Sequence, residues 1–167
     1  MNILFETDQL LVRNLTHEDA LDFFRLNSNE MVMRFIAKPK NREESDNYLQ
    51  ENLKLYLPGS IIGRYAIIEK ASNAFVGLFS LLYFSPKDAF HMGYALLPLF
   101  WGKGLAAELV KAGLCYFFAS TQQTELFAIT QPANKASIHL LLKSGFQSIG
   151  LVKENGEIVE LFQIIKK

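Results

Sequence analysis

The sequence predicts a mixed α/β domain built on a largely antiparallel sheet, and three observations predict it. Strand and helix signals alternate along the whole chain. Three strand-like runs in its middle are joined by segments short enough for antiparallel hairpins. Two more near the end flank Asn155-Gly156, a pair that favours the tight turn of a hairpin.

Leu10 to Leu15 reads as the first strand. Thr16 then offers an N-cap with Asp19 three residues on, and Ala20, Phe23 and Phe24 mark one helical face. Met31 to Ile36 reads as a short helix stopped before Pro39. Asn41 caps a third, with Glu43 and Glu44 in its first turn, Leu49, Leu53 and Tyr56 as its apolar face, and Pro58-Gly59 as its end. The central strands are Ile61 to Glu69, Ala74 to Phe84 and Phe90 to Leu97. The longest helical segment runs from about Gly102 to Ala119. Leu126 to Thr130 is a strand, Asn134 caps a helix ending at Ser144-Gly145, and Phe146 to Val152 and Ile158 to Ile165 close the chain as strands. With no repeat and no linker-like shift in composition, residues 1–167 read as one domain.

The bulk numbers narrow the function. Half of the 167 residues are hydrophobic and 14 are Phe, so the chain can bury a core large enough to fold. Seventeen basic residues balance seventeen acidic ones, which argues against broad binding to a nucleic-acid backbone. No stretch of about 18 apolar residues marks a membrane span, and Met1 to Glu6 is too short and too acidic to open a secretory leader. The lone Cys115 cannot form an internal disulfide. It lies in an apolar helical run that predicts a small core residue in preference to a reactive thiol, since neither His nor a basic residue lies beside it in sequence. The expected compartment is the reducing cytoplasm.

The informative stretch runs from Gly93 to Ala106. A strand ends at Pro98, Gly102 and Gly104 follow, and a long helix starts at once. Helix-start N–H groups are unpaired donors at the positive end of the helix dipole, and glycines let a ligand approach them. A phosphate or pyrophosphate suits such a place, although a plain strand-to-helix turn fits the same residues. No Gly-x-x-x-x-Gly-Lys-Ser/Thr occurs. Gly102-x-Gly104 with Ala107 nearly matches a dinucleotide fingerprint, but the hairpins upstream and Glu125 at the start of the next strand do not build its parallel unit.

Taken together, these residues resemble the GNAT superfamily of N-acetyltransferases, in particular its branch of ribosomal-protein N-terminal acetyltransferase-like proteins. The superfamily's pyrophosphate loop, Gln/Arg-x-x-Gly-x-Gly/Ala, aligns with Trp101, Gly102, Lys103, Gly104, Leu105 and Ala106. Trp101 replaces Gln/Arg, as is common in that branch. Glu6 to Arg13 resembles the branch's opening strand, Gly77 its third-strand glycine, and Asn134-x-x-Ser137 with Gly145-Phe146 its second motif.

The resemblance implies a mixed, largely antiparallel seven-stranded sheet with helices on both faces, splayed between its fourth and fifth strands at Leu97 and Ala128. It implies acetyl-CoA as cofactor. The pantetheine arm would pair with backbone at Leu96 and Leu97, and the Trp101 to Ala106 loop would hold the pyrophosphate. Lys103 would add charge to a phosphate, unless it is a solvated lysine at the helix start, and Asn134 would touch the cofactor besides capping its helix. Ser137 would protonate the leaving thiolate, unless it is an ordinary first-turn residue. No metal is implied.

Many relatives place Glu where this chain has His91. Strand alternation sets His91 on one face with Gly93 and Ala95, where small neighbours leave room for a substrate. It reads either as the general base or as a structural sheet residue. The acceptor wall would include Arg34 and Phe35, with Arg34 reading a carboxylate or an acidic peptide unless it is a solvated helix arginine. Three classes of function remain: an N-acetyltransferase acting on a protein N-terminus or a small amine, a non-catalytic acyl-CoA-binding or sensing domain, and a purely structural domain. A monomer or a homodimer fits each.

Overall fold

The computed structural model describes residues 1–167. Thr7 donates its N–H to the Leu10 carbonyl at 2.8 Å and so folds Ile3–Glu6 (β1) back on Leu10–Asn14 (β2). The sheet therefore has eight strands where seven are expected. The extra one escapes a periodicity reading because four residues give almost no pattern to read.

Past β2, Asp19 acts as the expected capping partner of Thr16 and accepts its N–H at 2.8 Å. Arg13 grips the same carboxylate with both terminal nitrogens, at 2.8 and 2.9 Å, so a buried acid is fully paired. A 3-10 turn at His17–Asp19 leads into Ala20–Asn27 (α1). The next helix, Glu30–Met33 (α2), is shorter than the expected Met31 to Ile36, whose end is a turn. Arg42–Leu53 (α3) starts at Asn41, whose Oδ1 accepts the Glu44 N–H at 2.8 Å. Tyr56 lies beyond its end, where the hydroxyl accepts the Leu15 N–H and donates to the Arg64 carbonyl.

Gly63–Glu69 (β3), Phe75–Phe84 (β4) and Ala89–Leu96 (β5) form the expected antiparallel ladder. Leu105–Ser120 (α4), Glu125–Thr130 (β6), Lys135–Lys143 (α5), Gln147–Glu154 (β7) and Glu157–Ile165 (β8) complete the chain. The sheet runs β1-β2-β3-β4-β5-β6-β8-β7, and every pairing is antiparallel except β5 with β6. Both outer strands are bulged, β1 between Ile3 and Phe5 and β7 between Ser148 and Gly150.

Helices cover both faces. On one, Phe23, Leu26, Val32, Met33 and Leu49 from α1–α3 pack on Ala66, Ile68, Phe75 and Leu78. On the other, Leu105, Leu109, Val110, Phe117 and Leu141 from α4 and α5 pack on Phe79, Leu81, Met92 and Phe162. Each such side chain contributes roughly 1.5–3 kcal/mol on burial. Cys115 is exposed, contrary to its reading as a core residue. Only the stripe through Leu109, Val110, Gly113 and Phe117 of α4 faces the sheet, and Cys115 lies off it. No helix is long and apolar enough to cross a membrane.

Candidate active site

The sheet opens between β5 and β6. These strands pair at one position only, His91 with Phe127, and beyond it they part. Leu97 donates its N–H to the Val76 carbonyl at 2.8 Å, so it is held by β4. Backbone groups alternate sides along a strand, and the register pairs Leu96 with Gly77 and Tyr94 with Phe79. The N–H and C=O groups of Tyr94 and Leu96 therefore point into the opening. Of the two expected backbone partners for a cofactor arm, Leu96 is free to serve by its N–H, while that of Leu97 is committed to the sheet. The Trp101 indole Nε1 donates to the Leu96 carbonyl at 2.7 Å and fixes the loop to the strand end.

That loop turns through a 3-10 segment, Pro98–Phe100, and then through Gly102 and Gly104 at φ of 72° and 77°. A side chain is strained at such angles, which accounts for the glycines. Gly104 is the N-cap of α4 and offers no capping side chain. The first bond back into the helix runs from the Glu108 N–H to the Gly104 carbonyl. The N–H groups of Leu105, Ala106 and Ala107 are left without intrahelical partners. A Cβ at Gly102 or Gly104 would meet nothing within 4 Å, so the loop is open outward.

Lys103 sits beside it with Nζ 5.4 Å from the centre of the Phe100 ring. Glu108 lies in the first turn, where its charge would oppose an anion, but it is turned to Gln9. It accepts the Gln9 backbone N–H at 2.9 Å and the Gln9 amide at 2.7 Å. Partial desolvation pushes its pKa up. Hydrogen bonds from Thr7 and Gln9 and the charge of Lys70 together outweigh that and hold it below the usual range.

Across the opening, Asn134 caps α5 and its Oδ1 accepts the Ser137 N–H at 3.2 Å. The Ser137 Oγ lies 3.3 Å from the Tyr94 hydroxyl. A side chain of β5 thus meets the first turn of the helix after β6. Burial raises the Tyr94 pKa, and the contact with Ser137 partly offsets the rise. The pair can pass a proton from one side of the opening to the other.

His91 occupies the opposite face, packed at 5.5 Å from the centre of the Phe84 ring. Burial, aided by the charge of Arg64, pushes its pKa down to about 4. The imidazole is therefore neutral at pH 7 and weakly basic. Arg34 is exposed and lies over its neighbour Phe35 at 5.0 Å. The arginine whose charge reaches His91 is Arg64.

Tyr94 and Arg64 are the site residues that sequence reasoning missed. Alternation places Tyr94 among core residues, and nothing local announces a partner 43 positions away. Arg64 had a visible signal, a lone charge between Gly63 and the apolar run Tyr65 to Ile68.

Comparison with known proteins agrees with this architecture. The family described as the acetyltransferase (GNAT) domain matches residues 9–147. An uncharacterized N-acetyltransferase of Bacillus subtilis (strain 168), YoaA, is 28% identical over 154 residues, covering 90% of this chain and 86% of the relative. The solved structure of RimL, a ribosomal L7/L12 alpha-N-protein acetyltransferase in complex with coenzyme A, superposes with a TM-score of 0.83. It covers 99% of this chain and 98% of its own at 20% identity. A spermidine N-acetyltransferase from Vibrio cholerae in complex with CoA and spermine gives 0.78 at 21% identity, covering 95% of this chain and 96% of its own.

Proposed function

The chain belongs to the acetyltransferase (GNAT) family and is an acyl-CoA-dependent N-acyltransferase with acetyl-CoA as its cofactor, and from that premise we propose that it acetylates a weakly basic primary amine in a ternary complex. The observation that carries the reading is the pairing of an uncapped helix start at Gly104 with the strand opening beside Tyr94 and Leu96. These features fit the cofactor by their chemistry: orphan donors for the pyrophosphate, backbone groups of a free strand edge for the pantetheine amides.

When bound, acetyl-CoA supplies the acetyl group as an activated thioester. Trp101, Gly102, Lys103, Gly104, Leu105 and Ala106 would hold its pyrophosphate, and Asn134 would border the arm. The Leu96 N–H is the backbone donor placed to polarise a carbonyl in the opening. Tyr94 and Ser137 would hold a proton at the Ser137 Oγ for the sulfur side, with Tyr94 as its source because a phenol is far more acidic than an aliphatic hydroxyl. His91, neutral at pH 7, would accept a hydrogen bond from the amine and take up the proton it loses. Arg34 and Phe35 line the outer acceptor wall.

Magnitudes favour an α-amine. An amine of pKa ~8 costs about 1.4 kcal/mol to deprotonate at pH 7, whereas a lysine at ~10.4 costs roughly 4.6 kcal/mol. An imidazole of pKa about 4 does little to lower that larger barrier. A protein N-terminus or a small molecule with an amine of this kind is the acceptor class that the site suits. Every residue invoked lies within residues 1–167 of one chain, acting as a single domain. The unpaired Cys115 suits a reducing cytoplasm.

The test is release of free thiol from acetyl-CoA in the presence of a graded series of amines. Turnover with α-amines at neutral pH, falling as amine pKa rises, is the expected result. Tight acetyl-CoA binding with no turnover on any amine would instead establish the second reading, a binding or sensing domain.

A further inference from the structure

Arg64 is a charged residue in a strand whose inward face is otherwise apolar. It lies opposite Ser80, which lies opposite Gly93, so the three form one row across β3, β4 and β5. Arg64 shares a sheet face with Ala66 and Ile68, on the side covered by α1–α3. His91, two residues from Gly93 on the same strand, faces that side as well. Side chains between Arg64 and the strand opening are therefore small.

The guanidinium is fixed in place by groups that leave its charge unanswered. Nη1 donates to Asn52 Oδ1 at 3.0 Å, and Asn52 is buried and anchored by its Nδ2 on the Tyr48 carbonyl at 2.8 Å. The Arg64 Cζ lies over the Tyr48 ring at 5.2 Å, and Lys40 Nζ approaches the same ring at 4.5 Å. The protein's four ion pairs are Arg13–Asp19, Arg25–Asp22, Arg42–Asp46 and Lys70–Glu6, so Arg64 has no carboxylate partner. A planar fork held by neutral groups, with most of its donors unused, is built for a carboxylate that arrives with a ligand.

Resting on the acetyltransferase reading above, we propose that Arg64 determines acceptor specificity: the amine accepted is one whose carrier presents a carboxylate to this guanidinium. The carboxylate belongs either to a free amino acid or to an acidic residue next to a peptide's N-terminus; the chemistry read by Arg64 is the same. A polyamine brings only positive charge to a face that already holds Arg64 and Lys40 and is disfavoured.

The experiment compares matched acceptors with the parent, Arg64→Gln and Arg64→Lys. The pairs are Ser-Asp-Ala amide against Ser-Asn-Ala amide, and serine against serinamide, with spermidine as a cationic control. Every kcat/KM is expressed per unprotonated amine, because the α-amine of free serine is more basic than that of serinamide. In the parent, the carboxylate member of at least one pair should have the higher kcat/KM by about tenfold or more, expressed in KM. The pair that shows it identifies the source. In Arg64→Gln the ratio should fall to about one with the KM for acetyl-CoA unchanged, and Arg64→Lys should recover part of it. A parent ratio near one in both pairs, or an equal loss on both members of a pair in Arg64→Gln, overturns the proposal.

A binding arm separates this idea from the transferase reading. Ser-Asp-Ala amide, titrated into the parent without acetyl-CoA, should shift the His91 ring resonances, and Arg64→Gln should abolish the shift. Binding of this kind with no thiol release from any amine would leave the Arg64 site standing and overturn the transferase reading. Thiol release without carboxylate preference would do the reverse.

Discussion

The hydroxyls of Tyr94 and Ser137 lie 3.3 Å apart, one on β5 and the other on the first turn of α5, and they are the polar link between the two sides of the strand opening. If they act as one proton-delivery unit, removing either disables both. Tyr94→Phe and Ser137→Ala should each lower kcat by roughly 10²-fold, in the range of general acid groups. The double variant should lose little more than either alone, while acetyl-CoA affinity holds. Multiplicative losses in the double variant would show that the two hydroxyls work independently.

Gly104 combines a φ of 77° with an outward-facing position that meets no neighbour. Gly104→Val should cost about 1–2 kcal/mol of stability through backbone strain. It should also place a branched side chain where a pyrophosphate must approach, so affinity for acetyl-CoA should fall at least tenfold. Calorimetry on the folded variant checks this. Unchanged affinity would remove the loop from the cofactor site.

Burial holds the His91 pKa at about 4 in the folded protein, against about 6.5 in the unfolded chain. The unfolded state therefore binds more protons between these values, and stability must decline as pH falls through that window. The full loss is about 3 kcal/mol, complete near pH 4 and absent above pH 6.5. Urea unfolding at pH 7 and pH 4.5 should show a smaller difference for His91→Gln than for the parent. Equal differences would mean that His91 titrates normally.

A Cβ on Gly77 would lie 2.0 Å from the Ala95 carbonyl oxygen, where β4 and β5 approach closely. Gly77→Ala must push the strands apart or distort the backbone, so a loss of about 3 kcal/mol or more is expected, large for a single methyl group. Thermal unfolding measures it. A variant as stable as the parent would show that this crossing relaxes freely.

The helices and the central ladder were legible because their signals are local. Asn41 with Glu44, Thr16 with Asp19, and Asn155-Gly156 each act within a few residues. The glycine turn ahead of α4 was legible for the same reason. What stayed hidden depends on residues far apart in sequence or on which strand edge faces out. The commitment of the Leu97 N–H to Val76 follows from register alone, and the Trp101 indole reaches the Leu96 carbonyl only once the loop has turned. Cys115 shows the opposite failure, since an apolar run on a helix says that one stripe is buried without saying which residues fall outside it.

The bulges in β1 and β7 have a consequence for the molecule in a crowded solution. An open sheet ends in two rows of unused hydrogen-bonding groups, and such rows template the addition of strands from other molecules. Here one edge is a four-residue strand with a register break at Ile3 and Phe5, and the other breaks between Ser148 and Gly150 with Gly150 at φ 113°. An incoming strand finds no long regular row on either side, and the added local twist turns each border away from a flat partner. Exposed apolar residues such as Leu151 and Ile158 sit near the second border, where polymerisation would otherwise be most favoured. Irregularity at the margins keeps the sheet finite.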